Sequence, residues 1–335
     1  MKSKWFPIVL GIFILFVIVT QIINCNRNKK SGLQIPLPAQ TSDPALNDWK
    51  APDLQTDSSL TEAERKKLEY GRNLIAHTAI YFGPKGSIAH ITNGMNCQNC
   101  HLKEGTQPWA NNFATTFTNY PKISGRSGKE QTLYDRINSC FQRSMNGKPL
   151  DTASKEMQAM FAYIKFIGKN AVKGEKPQGA GLPKLSFINR AADPKKGEGV
   201  FITFCKTCHG DNGQGKLNVA GTEYIYPPLW GNDSYNDGAG LYRLSNFASF
   251  VKSNMPYQVT SHWSPSLTQE HAWDVAAFVN SQPRPHKNAS NDYPDLKKKP
   301  FDDPFGPYAD SFPQSQHKYG PFEAIVVSNP PKQNH

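Results

Sequence analysis

The chain has 335 residues, with 38 Lys and Arg against 27 Asp and Glu for a net charge of +11. Apolar residues at 38% and aromatics at 11% exclude a disordered chain, a collagen-like repeat or a coiled coil as the overall class, and a single long apolar run excludes a multi-span membrane protein. Abundant Pro and Gly predict modest helices joined by much loop, while scattered Lys and Arg without interleaved base-stacking aromatics argue against nucleic acid as a partner.

In chain order, residues 5–23 carry no charge and span about 28 Å as a helix, enough to cross a bilayer. Lys2 and Lys4 precede the run and Arg27, Lys29 and Lys30 follow it, so flanking charge does not orient it. No small-residue cleavage site stands near its end, which predicts an uncleaved membrane anchor over 1–30. Cys25 supplies the alternative, a lipid-modified cysteine after signal cleavage. Residues 31–60 are polar, dotted with Pro and without periodicity, and read as a tether.

Thr61 and Glu64 form a capping box that opens a helix over about 61–77. A second helix over about 154–168 sets Met157, Met160, Phe161, Ile164 and Phe166 mostly along one side. Asp193 opens a short helical stretch, and a helix over about 268–281 carries Trp273, Val275, Ala276 and Val279. Two copies of one small architecture follow, over 61–175 and 185–282, with a Gly-, Pro- and Lys-rich linker near 171–183 between them. The Pro-rich tail, 283–335, carries aromatics from Tyr293 to Phe322. It is expected to pack along the domains, a mobile linker being the alternative.

Each copy contains one C-x-x-C-H, Cys97-Gln98-Asn99-Cys100-His101 and Cys205-Lys206-Thr207-Cys208-His209. This is the attachment motif of c-type haem: two thiols form thioethers to the vinyl groups, and the adjacent histidine supplies the proximal nitrogen. A zinc site would need four ligands, and a thioredoxin-like motif would not repeat the histidine. The expected fold is therefore mainly α, two cytochrome c domains each with one covalent haem c. Haem attachment of this kind occurs outside the bacterial cytoplasm, so both domains are expected in the periplasm, anchored to the inner membrane.

The sixth iron position has candidates in each domain. In the second, Met255, in Lys252-Ser253-Asn254-Met255-Pro256, is expected in a loop and suits Met/His ligation, with Lys252, His262 and His271 as alternatives. The first offers Met145, Met157 and Met160, the last two more readily core residues. It also holds Cys140, in Arg136-Ile137-Asn138-Ser139-Cys140-Phe141-Gln142-Arg143-Ser144. A thiolate on iron lowers the potential and is a nucleophile that neighbouring guanidinium groups favour, whereas an inert buried thiol is the plainer reading.

The segments around Cys97 and Cys140, the Met255 pentapeptide and the tail from 299 to 322 together resemble the di-haem thiosulfate dehydrogenases. The resemblance covers most of the chain from about residue 60. It implies an enzyme that joins two thiosulfates into tetrathionate or runs the reverse, passing electrons to a soluble c-type cytochrome or another periplasmic acceptor. It further implies Cys140 as distal ligand of the first, catalytic haem and Met255 as that of the second, exit haem. Arg126, Arg136 and Ser144 match positions that hold substrate. Asn254 stands where some members carry a Lys that competes with the Met, so ligand exchange at that position is not expected.

The substrates are dianions, and Arg126 and Arg136 could supply fixed charge; a haem propionate is the other common partner of such an arginine. Two rival functions differ in class. A membrane-anchored electron carrier without its own substrate would lack an exchangeable thiolate at the first haem. A di-haem peroxidase would need an acid–base group over an open iron, and no motif supplies one.

Overall fold

A computed structural model describes residues 47–329, all within one unit, Ala45–His335. The anchor expected over 1–30, Cys25 and most of the tether lie outside the described residues. Among those described, no helix is long and apolar enough to cross a membrane.

Six helices carry the architecture. Helix α1, Glu62–Ala76, starts at the Thr61–Glu64 capping box, in which Thr61 N donates to Glu64 Oε2 at 2.9 Å. Helix α2, Leu133–Arg143, has a second capping box, Thr132 with Asp135, and adds a helix to the two expected in this half. Helix α3, Lys155–Ile167, is capped by Ser154. Helix α4, Pro194–Phe204, is capped by the Asp193 carboxylate, with Pro at its first position. Helix α5, Leu244–Asn254, stands where a loop is expected around Met255. It carries Lys252, Ser253 and Asn254 as its last turn, so Met255 is the first residue past a helix rather than part of an open loop. Helix α6, Gln269–Ser281, starts at Thr268.

In both halves the first helix crosses the last. Helix α1 packs on α3 and α4 on α6, and at each crossing a glycine admits the partner backbone. A Cβ on Gly71 would be driven into the carbonyl of Ala159, and one on Gly197 into that of Asp274. The first core gathers Leu74, Ile75, Phe82, Phe141, Met157, Met160 and Tyr163. The second gathers Phe201, Leu244, Phe247, Ala248, Trp273 and Val279, and takes in Phe322 and Ile325 from the tail. Among the described residues strand is confined to two antiparallel pairs, β1 (Lys122–Ile123) with β2 (Glu130–Gln131) and β3 (Lys216–Leu217) with β4 (Tyr224–Tyr226).

Polar contacts join the halves. Asn236 Nδ2 donates to the Gln142 carbonyl at 2.9 Å and to Asn146 Oδ1 at 3.0 Å, and Asn96 Nδ2 donates to Glu223 Oε2 at 2.9 Å. The 171–183 linker is pinned to the first half: Trp109 N and Asn112 Nδ2 both donate to the Gly179 carbonyl. Two tail residues also reach the first half, Tyr293 N donating to the Arg126 carbonyl at 2.7 Å and Asp292 accepting from Arg143 Nη2 at 2.9 Å.

Candidate active site

Helix α2 is amphipathic in a way that builds a cavity wall. Leu133, Ile137 and Phe141 recur every four residues and are buried. Arg136, Cys140 and Ser144 recur at the same interval on a neighbouring strip and face the same cavity. That cavity is also lined by Cys97, Cys100 and His101. Met145 and Met160 reach its wall as well, while Met157 is wholly buried in the core.

Among the described residues no Asp or Glu lines this cavity, and its two cations are Arg136 and Lys122. The Cys140 sulfur, with Tyr120 adding to it, holds the Arg136 proton above the ordinary guanidinium range. Burial, and then the Arg136 charge, push the Lys122 ammonium below the usual lysine value. The Lys122 ammonium lies 4.8 Å from the centre of the Tyr120 ring. Neither Lys122 nor Tyr120 was singled out from sequence, since they arrive from a turn and a two-residue strand that no motif marks.

The cysteine pairs and histidines meet the demands of a covalent haem. Burial pushes the Cys97 and Cys100 thiols up to about 12, an environment suited to neutral sulfur such as a thioether. Burial also lowers His101 to about 4, keeping its ring neutral. His101 Nδ1 is 2.5 Å from the Asn111 carbonyl and His209 Nδ1 is 2.8 Å from that of Pro227. A carbonyl partner fixes the proton on Nδ1 and leaves the Nε2 lone pair for a metal. Cys205 and Met255 pack against one and the same core. Lys252 Nζ is engaged by the Leu267 carbonyl at 3.0 Å, and the ring of His262 is stacked on Trp109 with centroids 4.0 Å apart. His271 lies beside Phe204.

Arg126 is elsewhere. Its Nη1 donates to the Gly238 carbonyl at 2.9 Å and stands 3.7 Å from Asp292. It lines a separate cavity under the tail, with Arg243, Lys287 and Lys299 among its neighbours. Cys140, Arg136 and Ser144 are thus brought together, and Arg126 is not with them.

Residues 88–171 match the SoxA/TsdA cytochrome c domain family and residues 194–283 the cytochrome c family. A thiosulfate dehydrogenase from Stutzerimonas stutzeri is 35% identical over 218 residues, covering 65% of this chain and 67% of its own length. One from Allochromatium vinosum is 37% identical over 199 residues, 58% of this chain and 72% of its own. The chain belongs to the thiosulfate dehydrogenase family. Another family member, from Psychrobacter arcticus, is 38% identical over 208 residues, and there the match spans 61% of each chain. The solved thiosulfate dehydrogenase (TsdBA) of Marichromatium purpuratum, in its as-isolated form, superposes with a TM-score of 0.65 at 30% identity. It covers 73% of this chain, which in turn covers 51% of that one. Two cytochrome c domains, each with its own C-x-x-C-H, mean two covalently bound haem c groups in this family member.

Proposed function

We propose that the protein is a periplasmic enzyme that oxidises two thiosulfates to tetrathionate, or runs the reverse, and exchanges electrons with a soluble c-type cytochrome. The observation that carries this reading is the cavity on α2: a thiol, Cys140, shares its wall with a guanidinium, an ammonium and the C-x-x-C-H cysteines and histidine, and no carboxylate lines it among the described residues. The names of the relatives support the substrate. Residues 61–175 would form the catalytic domain and residues 185–282 the domain through which electrons leave, with residues 1–30 holding both to the inner membrane.

Cys97 and Cys100 would hold the first haem through thioethers, with His101 and Cys140 as its iron ligands; Cys205 and Cys208 would hold the second, with His209 and Met255. The two haems supply two one-electron acceptors, matching the two electrons that the reaction releases. The protein's own part begins with capture of the dianion by Arg136 and Lys122, which offset its charge. Ser144, one helical turn beyond Cys140, offers a hydroxyl to a sulfonate oxygen.

The Cys140 thiolate then forms a sulfur–sulfur bond with the terminal sulfur of thiosulfate, and this bond formation gives up two electrons. A second thiosulfate attacks the same substrate sulfur through its own terminal sulfur. The new sulfur–sulfur bond completes tetrathionate, the bond to Cys140 breaks, and Cys140 leaves as thiolate. Arg126 would steer anions from its separate cavity rather than touch the reacting sulfur.

The test is thiosulfate-dependent reduction of ferricyanide by the haem-loaded protein, with Cys140→Ala alongside. Wild-type turnover is expected, and the variant should keep both haems and lose roughly a thousandfold or more. Full activity in Cys140→Ala would overturn the covalent route. No wild-type activity, with both haems reducible, would favour an electron carrier.

A further inference from the structure

A buried contact joins the helix end before Met255 to the loop whose carbonyl meets His101. Asn254, the last residue of α5 and the neighbour of Met255, is 1% exposed, and both its amide nitrogen and its amide oxygen are engaged. Its Nδ2 donates to the Phe250 carbonyl within its own helix at 3.0 Å and to the Trp109 carbonyl in the other half at 3.1 Å. Its Oδ1 accepts from Gln107 Nε2 at 3.0 Å. Gln107 and Trp109 belong to the loop that ends in Asn111 and Asn112, and the Asn111 carbonyl is the one that orients His101.

That loop is held in an unusual conformation. Trp109 and Asn111 have φ of +61° and +57°, in the left-handed region that a tryptophan seldom adopts. The Gly179 carbonyl holds the loop from one side through Trp109 N and Asn112 Nδ2. Asn254 holds it from the other. A further contact repeats the tie beyond Met255, where Trp109 and Trp263 both donate their indole N–H to Asp48 Oδ2, at 2.9 and 3.0 Å.

We propose that Asn254 is a positioning residue shared by both haem sites: one amide fixes the helix end that presents Met255 and the loop whose carbonyl sets the His101 ring. Ligand geometry at either iron is then set jointly, because neither the helix end nor the loop can shift without breaking hydrogen bonds to the other. Such a latch keeps the two potentials in step through a two-electron turnover. It rests on the reading of His101 and Met255 as iron ligands.

The test uses the full holoprotein, both haems loaded, with variants on each side of the contact. The readouts are the long-wavelength methionine-to-iron absorption band of the second haem, the electron paramagnetic resonance signal of the first, and both reduction potentials by spectroelectrochemical titration. Gln107→Ala, a change confined to the first half, is expected to weaken the methionine band of the second haem. Asn254→Ala is expected to shift the resonance of the first haem and both potentials. Asn254→Asp, which keeps the acceptor for Gln107 but loses the donors, should fall between Asn254→Ala and wild type.

Variants that disturb only the haem of their own half, or neither, overturn the latch. Should Asn254→Ala fail to take up haem, Gln107→Ala decides by the same criterion. A wild-type protein without the methionine band overturns the ligand reading, and the latch with it. That failure shows before any variant is made and is thereby distinct from failure of the latch itself.

Discussion

Arg136 and Cys140 stand one turn apart on α2, and their pairing is the electrostatic centre of the cavity. A guanidinium offers a planar fork to a sulfonate, and among the described residues no carboxylate in the wall competes for it. Arg136→Gln keeps the length and some hydrogen bonding but removes the charge. It should lower kcat/KM for thiosulfate by roughly a hundredfold to a thousandfold while both haems stay bound, as steady-state ferricyanide assays with parallel haem quantification would show. Arg126→Gln, by contrast, should cost far less, because Arg126 faces a different cavity and is already engaged by Gly238 and Asp292. Equal losses in the two variants would refute this separation of roles.

The helix crossings dominate at the scale of elements. Gly197 lies where α4 meets the backbone of α6, and Gly199, two residues on, meets nothing within 4 Å of an added Cβ. The same change at these positions should therefore have opposite signs. Gly197→Ala forces the helices apart and should cost at least about 1–3 kcal/mol. Gly199→Ala fills open space and removes backbone freedom from the unfolded chain, so it should stabilise by about 0.5–1 kcal/mol. Denaturant titration of the holoprotein, followed by helical circular dichroism, measures both. The matching crossing at Gly71 predicts that Gly71→Ala behaves like Gly197→Ala.

Over the whole molecule, the tail acts as a strap. Asp302 is 1% exposed and accepts from Arg243 Nε at 2.7 Å, from Ser245 Oγ at 2.6 Å and from Ser245 N at 3.0 Å, which ties the tail to the start of α5. Removing one partner of a buried ion pair leaves the other charge without compensation. Asp302→Ala should cost about 3–5 kcal/mol in thermal or denaturant unfolding. Replacing Arg243 and Asp302 together by apolar residues should cost less than Asp302→Ala alone, since no orphan charge remains. A double variant as unstable as the single one would assign the loss to packing of the tail instead.

Much of the fold was legible in the residues because the signals are local. Capping at Thr61, Ser154, Asp193 and Thr268 depends on a hydroxyl or carboxylate within three positions of the amide it satisfies. Two spans escaped, α2 and α5, although Thr132 and Asp135 carry the same capping signal for α2. The C-x-x-C-H motifs are legible for a similar reason, since the macrocycle dictates their spacing. The four-residue interval of Arg136, Cys140 and Ser144 likewise places them on one face of any helix that forms there. What only the tertiary structure decided joins residues far apart in the chain. Arg126 went to another cavity, Lys122 was brought into the cavity that Cys140 lines, and Asn254 was set against Gln107 and Trp109, about 145 residues away. Hydrogen bonds of this kind follow no periodicity in sequence, because they arise where packed surfaces meet and buried polar groups must find partners.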